Sequence, residues 1–234
     1  MKQRKKPELK ELFVERMQKL LTNKQDFQEY INILKELPVK SIRCNTLKIS
    51  PENLKEKLEN KKWKISQPWK DYPEVMIMEN NLQPGELGRS LEHLLGYYYV
   101  QELASMLPPI ALNPQPNELI LDLCSAPGSK TTQIASKMKN TGTIIANEVS
   151  LGRIKILASN LERCGVTNTI ITKKDGIAFC NKIEKYNPEI KFDRILIDAP
   201  CSGEGTLRSS LRTYLMWNIK TVNQLCHIQK QLFS

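Results

Sequence analysis

The sequence predicts an α/β protein in which a small, basic α+β module precedes a parallel sheet. Two observations lead to this prediction. From residue 117 onward, short apolar runs alternate with helical patterns, and this alternation indicates βαβ units. Ahead of them, residues 1–70 contain 18 Lys and Arg against 9 Asp and Glu, whereas residues 71–234 contain 17 against 16.

The basic module is predicted from one helical region followed by a β-α-β unit. Residues 8–37 repeat apolar side chains at three- and four-residue steps, which indicates a helix. SIRCNTL (41–47) and VMIM (75–78) predict two strands, and a helix is predicted to begin between them at Pro51. We place this first domain at residues 1–88. Its charge predicts contact with a polyanion, and a solvated helix face is the alternative.

A helical connection and a parallel sheet follow. Residues 89–112 predict an amphipathic helical stretch, interrupted at Gly96 and closed by Pro108 and Pro109. The third domain, residues 113–234, alternates strands and helices. Strands are predicted at LILDL (119–123), TIIAN (143–147), residues 168–172 and FDRILIDA (192–199), and helices near residues 130–139, 150–164 and 176–186.

Cysteine and histidine usage excludes several functional classes. The six cysteines include no C-x-x-C pair and the chain has only two histidines, so we expect no metal site. Reduced thiols are typical of a cytoplasmic protein. No apolar run approaches the roughly 20 residues that cross a bilayer, so we expect no membrane partner.

The segment LILDLCSAPGSKT, residues 119–131, predicts a buried strand, a Pro/Gly turn and a helix that begins near Lys130. Small residues in such a turn let the backbone approach a ligand, and the helix N-terminus offers free N–H groups. A P-loop is excluded because Ser129 stands where Gly is needed. A dinucleotide fingerprint is excluded because Gly128 is the one glycine of the segment. A tight turn without a ligand stays the alternative.

Acidic residues stand at or near the ends of all four predicted strands: Asp122, Glu148, Asp175 and Asp198. Ligands of doubly wound sheets lie beyond the carboxyl ends of the strands. Glu148 is suited to accept hydrogen bonds from both hydroxyls of a ribose, and Asp175 to meet the amino edge of an adenine. Any one of the four could instead cap a helix or lie in a solvated turn, but four together favour a site.

Two motifs resemble those of a known family, the RNA cytosine-C5 methyltransferases of the RsmB/NOP2/Sun type. LDLCSAPGSKT resembles their cofactor loop, and DAPCSGEGT (198–206) resembles their D-A-P-C-S-G-x-G motif. GYYYVQELASMLPP (96–109) and residues 146–166 are also similar. SIRCNTLK resembles the R-x-N-T motif of their N-terminal RNA-binding module. The likeness spans about residues 40–233.

The resemblance implies a Rossmann-like fold that uses S-adenosylmethionine to methylate cytosine C5 in RNA. The compact single N-terminal module favours tRNA over rRNA as the substrate. Glu148 would bind the ribose, Arg153 would support it, Asp175 would hold the adenine and Asp198 would face the target base. The methionine part of the cofactor would be held by Cys124, Ser125, Ala126, Pro127, Gly128, Ser129 and Lys130. Ser129 stands where the family has Gly, which would be harmful if this position needs a positive φ.

The chemistry explains why a cysteine is wanted. A thiolate that adds at C6 makes C5 of cytosine nucleophilic toward a methyl group, and a nearby group must hydrogen-bond the base. Cys201 and Asp198, three residues apart, and Lys130 are therefore the predicted catalytic residues.

By resemblance Cys201 assists product release, and the nucleophile belongs to a later T-C-[ST] motif that does not occur here. We therefore expect a sheet that is incomplete at its C-terminus, with a further segment or a partner chain supplying the nucleophile. A non-catalytic protein that binds RNA and cofactor is the alternative. A DNA cytosine methyltransferase ranks last because its P-C-Q and E-N-V motifs are absent.

Overall fold

The computed structural model describes residues 8–233, so the first seven residues of the predicted basic module lie outside it. The chain forms two compact units. One consists of residues 39–198, and the other joins residues 8–38 to residues 199–233. The domain boundaries predicted near residues 88 and 112 stay a prediction.

The unit of residues 39–198 contains a small antiparallel sheet with strand order β2-β3-β1-β4. Its strands are β1 (Ser41–Cys44), β2 (Ile65–Ser66), β3 (Val75–Met78) and β4 (Tyr98–Val100). Helix α3 (Pro51–Glu59) begins where the sequence predicts it, because Pro51 fits the first helical position and the Ser50 side chain accepts a hydrogen bond from Asn53 N. Leu54 and Leu58 of this helix are buried in the core of the small sheet.

The prediction of one helical stretch over residues 89–112 is wrong. The segment contains α5 (Leu91–Leu94), strand β4 and α6 (Leu103–Leu112), preceded by the short helix α4 (Glu86–Arg89). Gly96 has φ 73°, which turns the chain from α5 into β4, and β4 then pairs with β1. Pro108 and Pro109 lie inside α6 instead of closing it, because the burial of Met106 and Pro109 outweighs the loss of two backbone hydrogen bonds.

The same unit contains the predicted parallel sheet, with strand order β7-β6-β5-β8. Its strands are β5 (Leu119–Asp122), β6 (Thr143–Asn147), β7 (Thr169–Thr172) and β8 (Arg194–Leu196). The helices between them are α7 (Ser129–Lys137), α8 (Leu151–Cys164) and α9 (Gly176–Tyr186). The Rossmann-like fold is thus confirmed, and because all four strands are parallel, their carboxyl ends share one edge of the sheet.

Packing fixes the centre of the parallel sheet. Ile120 of β5, Ile144 of β6 and Ile134 of α7 are fully buried in one cluster. Within residues 8–233, β8 pairs with β5 on one side and with no strand on the other, and Ile195 is 49% exposed. The expectation that a further segment completes this edge stays a prediction.

The other unit is helical. It consists of α1 (Glu11–Leu20), α2 (Lys24–Ile33), a 3-10 turn (Glu204–Thr206), α10 (Leu211–Met216) and α11 (Ile219–Phe233). Its core joins the two chain ends: the edge of the Phe13 ring meets Trp217 at 5.2 Å between centroids, and Arg16 Nε lies 3.0 Å from Glu204 Oε1. No helix within residues 8–233 has the length and apolar character to cross a membrane.

Gly96 gives a test of this fold. A Cβ at this position would lie 1.9 Å from the carbonyl oxygen of Arg163, and its positive φ disfavours any side chain. We expect Gly96→Ala to lower the free energy of unfolding by about 2 kcal/mol or more, measured by urea denaturation. Gly88→Ala is the matched control, because a Cβ there meets no atom within 4 Å. Equal stability of the two variants would contradict the turn into β4.

Candidate active site

The loop between β5 and α7, residues 123–128, is shaped by its glycine. Gly128 has φ 100° and its N–H donates to Ser125 O at 2.8 Å, so the chain can turn from the strand into the helix. A Cβ at Gly128 would lie 3.0 Å from Leu157 Cδ1. Ser129 is the first residue of α7, which places the required positive φ at position 128. The serine at 129 therefore does not strain the loop.

Buried polar contacts join the loop to the neighbouring strand ends. The Ser125 hydroxyl donates to Asn147 O at 2.9 Å, a contact that an alanine would lack. The Asn147 side-chain amide in turn donates to Leu123 O at 3.1 Å and to Lys174 O at 3.0 Å. Asn147 thus links the carboxyl ends of β5, β6 and β7. We did not predict this role of Asn147, although an asparagine at the end of the apolar run TIIAN, directly before Glu148, was a signal.

Glu148 and Arg153, predicted at the ribose site, form an ion pair with 2.9 Å between Oε2 and Nη1. Glu148 Oε1 accepts a hydrogen bond from Ser150 N at 2.9 Å, and Arg153 Nη2 donates to Ala126 O. The Glu148 side chain is 2% exposed and that of Arg153 is 51% exposed. Arg153 therefore covers the carboxylate and joins it to the loop, so the structure brings these three predicted residues together.

Lys130 and Asp198 meet on the other side of β5. Lys130 Nζ lies 2.5 Å from Asp198 Oδ2 and also donates to Ser105 Oγ at 3.2 Å. The Lys130 side chain is 13% exposed, whereas that of Asp198 is 52% exposed. The ion pair fixes the direction of a carboxylate that solvent, and hence a substrate, can reach.

Asp122 lies fully buried at the end of β5. Its Oδ2 accepts a hydrogen bond from Thr131 Oγ1 at 2.7 Å, while Oδ1 has no partner within residues 8–233. Burial, with a smaller contribution from Asp198, raises the pKa of Asp122 from 3.8 to about 7. Burial and the nearby Asp122 also raise the pKa of the Cys124 thiol to about 11, so Cys124 is a neutral thiol and not a nucleophile.

Asp175 caps helix α9. Its Oδ1 accepts a hydrogen bond from Ala178 N at 3.0 Å, and the residue is exposed. Capping is the alternative role that the sequence leaves open for each acidic residue. One carboxylate oxygen can cap a helix while the other binds a ligand, so the adenine contact stays a prediction.

Cys201 belongs to the helical unit. It is exposed and lies at a cavity of about 260 Å³ that Arg212, Thr213 and Trp217 also line. Its thiol is therefore accessible, as a thiol that contacts a substrate must be. Asp198 belongs to the other compact unit, so joint action of Asp198 and Cys201 stays a prediction.

The R-x-N-T motif of the small module does not form an RNA-contacting surface at its first and third positions. Arg43 and Asn45 are each 1% exposed. The Asn45 side-chain amide donates to Gly96 O and Cys164 O, both at 2.8 Å, which joins the end of β1 to the end of α8. The motif was visible in the sequence, but its pattern does not show that Arg43 and Asn45 are buried.

Metal ligands were not expected, and within residues 8–233 no three His, Cys, Asp or Glu side chains come together to hold an ion. The absence of a metal stays a prediction.

The parallel sheet with helices between its strands, and a loop at its carboxyl edge, define a Rossmann-like α/β fold. The family described as 16S rRNA methyltransferase RsmB/F matches residues 109–234, and the N-terminal domain of 16S rRNA methyltransferase RsmF matches residues 9–103. The chain belongs to the RsmB/F family of 16S rRNA methyltransferases. This membership confirms the family resemblance and, for the family, the predicted cofactor, S-adenosylmethionine.

Similar proteins agree with this family. Ribosomal RNA small subunit methyltransferase F of Vibrio parahaemolyticus is 40% identical over 225 residues, which cover 95% of this chain and 46% of that protein. The corresponding protein of Psychromonas ingrahamii is 40% identical over 232 residues, which cover 97% of this chain and 47% of that protein. The chain thus spans about half the length of these curated relatives. The structure of a methyltransferase homolog from Pyrococcus horikoshii has a TM-score of 0.72 and 28% identity, covering 96% of this chain and 72% of that one.

The predicted preference for tRNA has no support. The matching family and both bacterial relatives are named for ribosomal RNA. The preference rested on the compactness of the N-terminal module, a feature that does not distinguish between RNA substrates.

The buried Asp122 predicts a pH dependence of stability. Between pH 3.8 and about 7 the folded protein holds a proton that the unfolded chain has released. The contribution of Asp122 to the free energy of unfolding is therefore full below this range and is lost as the pH rises through it. We expect Asp122→Asn to remove this loss. The free energy of unfolding of the variant, measured by urea denaturation, should therefore rise relative to that of the wild type between about pH 5 and pH 7. Asp71→Asn, at an exposed position, is the control. A parallel pH profile for wild type and Asp122→Asn would contradict the raised pKa.

Proposed function

We propose that this chain binds S-adenosylmethionine in loop 123–130 and at Glu148, and takes part in methylating cytosine C5 in the RNA of the small ribosomal subunit. One observation carries the proposal: Arg153 joins the Glu148 carboxylate to Ala126 O, so that the candidate ribose acceptor and the candidate methionine loop form one site. The rRNA names of the family and its relatives support the substrate.

The residues present fit this cofactor. S-adenosylmethionine supplies a methyl group on a positively charged sulfonium, and it also carries an ammonium and a carboxylate. Asp122 Oδ1, buried without a partner within residues 8–233, is an acceptor suited to a cationic donor. Helix α7 offers free N–H groups at its start, which suit a carboxylate. Both charge types of the ligand therefore have a complement.

Glu148 would accept hydrogen bonds from the ribose hydroxyls. Each of its oxygens takes one hydrogen bond in the structure, from Ser150 N and from Arg153, and keeps a lone pair. Arg153 would support this site from the side, through its contacts with Glu148 and Ala126 O. Asp175 would contact the adenine with the oxygen that does not cap α9.

Asp198 and Lys130 would act on the target base. The half-exposed Asp198 carboxylate is suited to hydrogen-bond the amino edge of a cytosine, and Lys130 holds it in one direction through their 2.5 Å contact. Cys201 would assist release of the methylated base, the role that the resemblance assigns to the cysteine of P-C-S-G. By the same resemblance, the thiolate that adds at C6 would come from the cysteine of a T-C-[ST] motif.

The small sheet would contact RNA through its exposed lysines, not through the R-x-N-T motif. Lys62, Lys64 and Lys70 are exposed in a segment that holds no acidic residue between positions 60 and 70. Such a cluster suits phosphates, and its contribution to affinity would fall with salt. The alternative function is that of a non-catalytic protein that binds RNA and cofactor.

Cofactor binding is tested at Glu148. Glu148→Ala removes the acceptor of both ribose hydroxyls, and we expect calorimetry to show S-adenosylmethionine affinity lower by roughly 1–3 kcal/mol. Glu162→Ala, which makes the same charge change at an exposed position, should bind like the wild type. Unchanged affinity of the Glu148 variant would remove this residue from the site.

The roles of the cysteines are tested by methyl transfer. We expect the purified 234-residue chain, given small-subunit rRNA and radiolabelled S-adenosylmethionine, to bind both without labelling the RNA. The reason is that its one P-C cysteine is assigned to release. Labelling that Cys201→Ser abolishes would instead identify Cys201 as the nucleophile. Labelling that Cys201→Ser leaves intact would show that another of its cysteines acts.

A further inference from the structure

The side chain of Arg43 reaches from the small sheet to the first turn of α7. Arg43 lies on β1, and its Nη1 donates to Ser129 O at 2.7 Å. Its Nη2 donates to Thr132 Oγ1 at 2.8 Å. One guanidinium from the small sheet therefore holds both the backbone and a side chain of the helix that follows the cofactor loop.

Two buried glutamines hold the guanidinium from its other side. Arg43 Nη1 donates to Gln101 Oε1 and, at 3.4 Å, to Gln133 Oε1. Gln101 Nε2 donates to Gln133 Oε1 at 3.2 Å, and Gln133 Nε2 donates to Met106 O at 2.9 Å. These side chains are buried, so each contact forms in a medium of low dielectric constant, where charge-assisted hydrogen bonds are strong.

The cation is balanced by dipoles. No carboxylate bonds Arg43 within residues 8–233, and its Nε has no partner there. Burial lowers the pKa of Arg43 to about 10, so the group stays charged at neutral pH. A buried cation costs free energy unless it is well solvated by the protein. The neutral oxygens Ser129 O and Thr132 Oγ1 of α7 thus supply part of that solvation. The same hydrogen bonds hold the first turn of α7 in place.

A second set of contacts holds the loop on the other side of Gly128. Asn160 Nδ2 donates to Pro127 O at 2.9 Å, and the Tyr99 hydroxyl lies 3.4 Å from the same oxygen. The Tyr99 ring lies between two cations, 5.6 Å from Arg43 Cζ and 5.4 Å from Arg163 Cζ. The carbonyls of residues 127 and 129, which flank the flexible glycine, are therefore both fixed from outside the loop.

We propose that Arg43 is a positioning residue that pre-organises the cofactor loop, so that the affinity for S-adenosylmethionine depends on a side chain of the small antiparallel sheet. The inference rests on the proposed function, because that function makes residues 123–130 the methionine site. A loop that must be ordered on binding loses affinity to the entropy of ordering it, and a loop held in place does not. Arg43 itself need not touch the cofactor.

Arg43→Lys is the test because it keeps the positive charge and removes the fork that reaches Ser129 O and Thr132 Oγ1 together. We expect a folded protein whose dissociation constant for S-adenosylmethionine, measured by calorimetry, rises about tenfold, the effect of losing one hydrogen bond. Arg89→Lys is the matched control: Arg89 lies in the same unit and its guanidinium donates to Pro84 O, far from the loop in sequence.

Hydrogen exchange without cofactor separates positioning from general stability. In Arg43→Lys we expect faster exchange of the amides of residues 128–132, with the amides of β3 and β6 unchanged. Exchange that rises equally throughout residues 39–198 would show a merely structural role and overturn the proposal. So would wild-type affinity in a folded Arg43→Lys variant. If the wild type itself fails to bind S-adenosylmethionine, the proposed function fails, while the exchange measurement still decides the positioning role.

Should Arg43→Lys not fold, Thr132→Val decides. This variant preserves shape and removes the acceptor of Arg43 Nη2 on α7. A several-fold loss of S-adenosylmethionine affinity, together with faster exchange at residues 128–132, supports positioning through Arg43. Unchanged affinity and exchange overturn it.

Discussion

The structure depends on a loop that has no regular hydrogen bonding of its own. Residues 123–128 connect β5 to α7, and Gly128 makes the connection possible with its positive φ. The same glycine leaves the loop flexible, so its conformation must be fixed by other elements. Ser125 is held by Asn147, Ala126 by Arg153, and Pro127 by Asn160. These partners lie on β6 and α8, so the conformation of the loop depends on the neighbouring strand and helix.

Ionisable groups are buried around this loop at a cost in stability. Asp122 is buried with one oxygen unpartnered in the described residues, Glu148 is buried beneath Arg153, and Arg43 is buried among neutral acceptors. Such groups are expensive where they serve only packing. Asp122 and Glu148 lie at the carboxyl ends of parallel strands, where ligands of such sheets bind, so their burial favours a binding role. The acidic side of the site suits a cationic ligand, and the start of α7 suits an anionic one.

Polar residues of the small sheet and its connections differ in burial. Arg43 and Asn45 point into the same unit and bind α7, Gly96 and Cys164, whereas Lys62, Lys64 and Lys70 are exposed. A basic segment can therefore combine exposed lysines with polar side chains that are buried against neighbouring elements. All four residues of β1 are buried, and the strand lies between β3 and β4 in the sheet. A count of charges along the sequence does not distinguish the buried Arg43 from the exposed lysines.

The sequence by itself determined the elements of the parallel sheet and the residues of the loop. The strand predicted at residues 143–147 matches β6, and the helices predicted near 130–139, 150–164 and 176–186 match α7, α8 and α9 closely. These predictions succeed because apolar periodicity and turn residues act locally. Tertiary structure alone decided that residues 98–100 form a strand and that α6 continues through two prolines, since pairing with β1 and burial outweigh local preference. It also decided where the Arg43 guanidinium lies, because the sequence does not distinguish a buried arginine from an exposed one. Arg43 and Ser129 are 86 positions apart in the chain, and the fold brings them into contact.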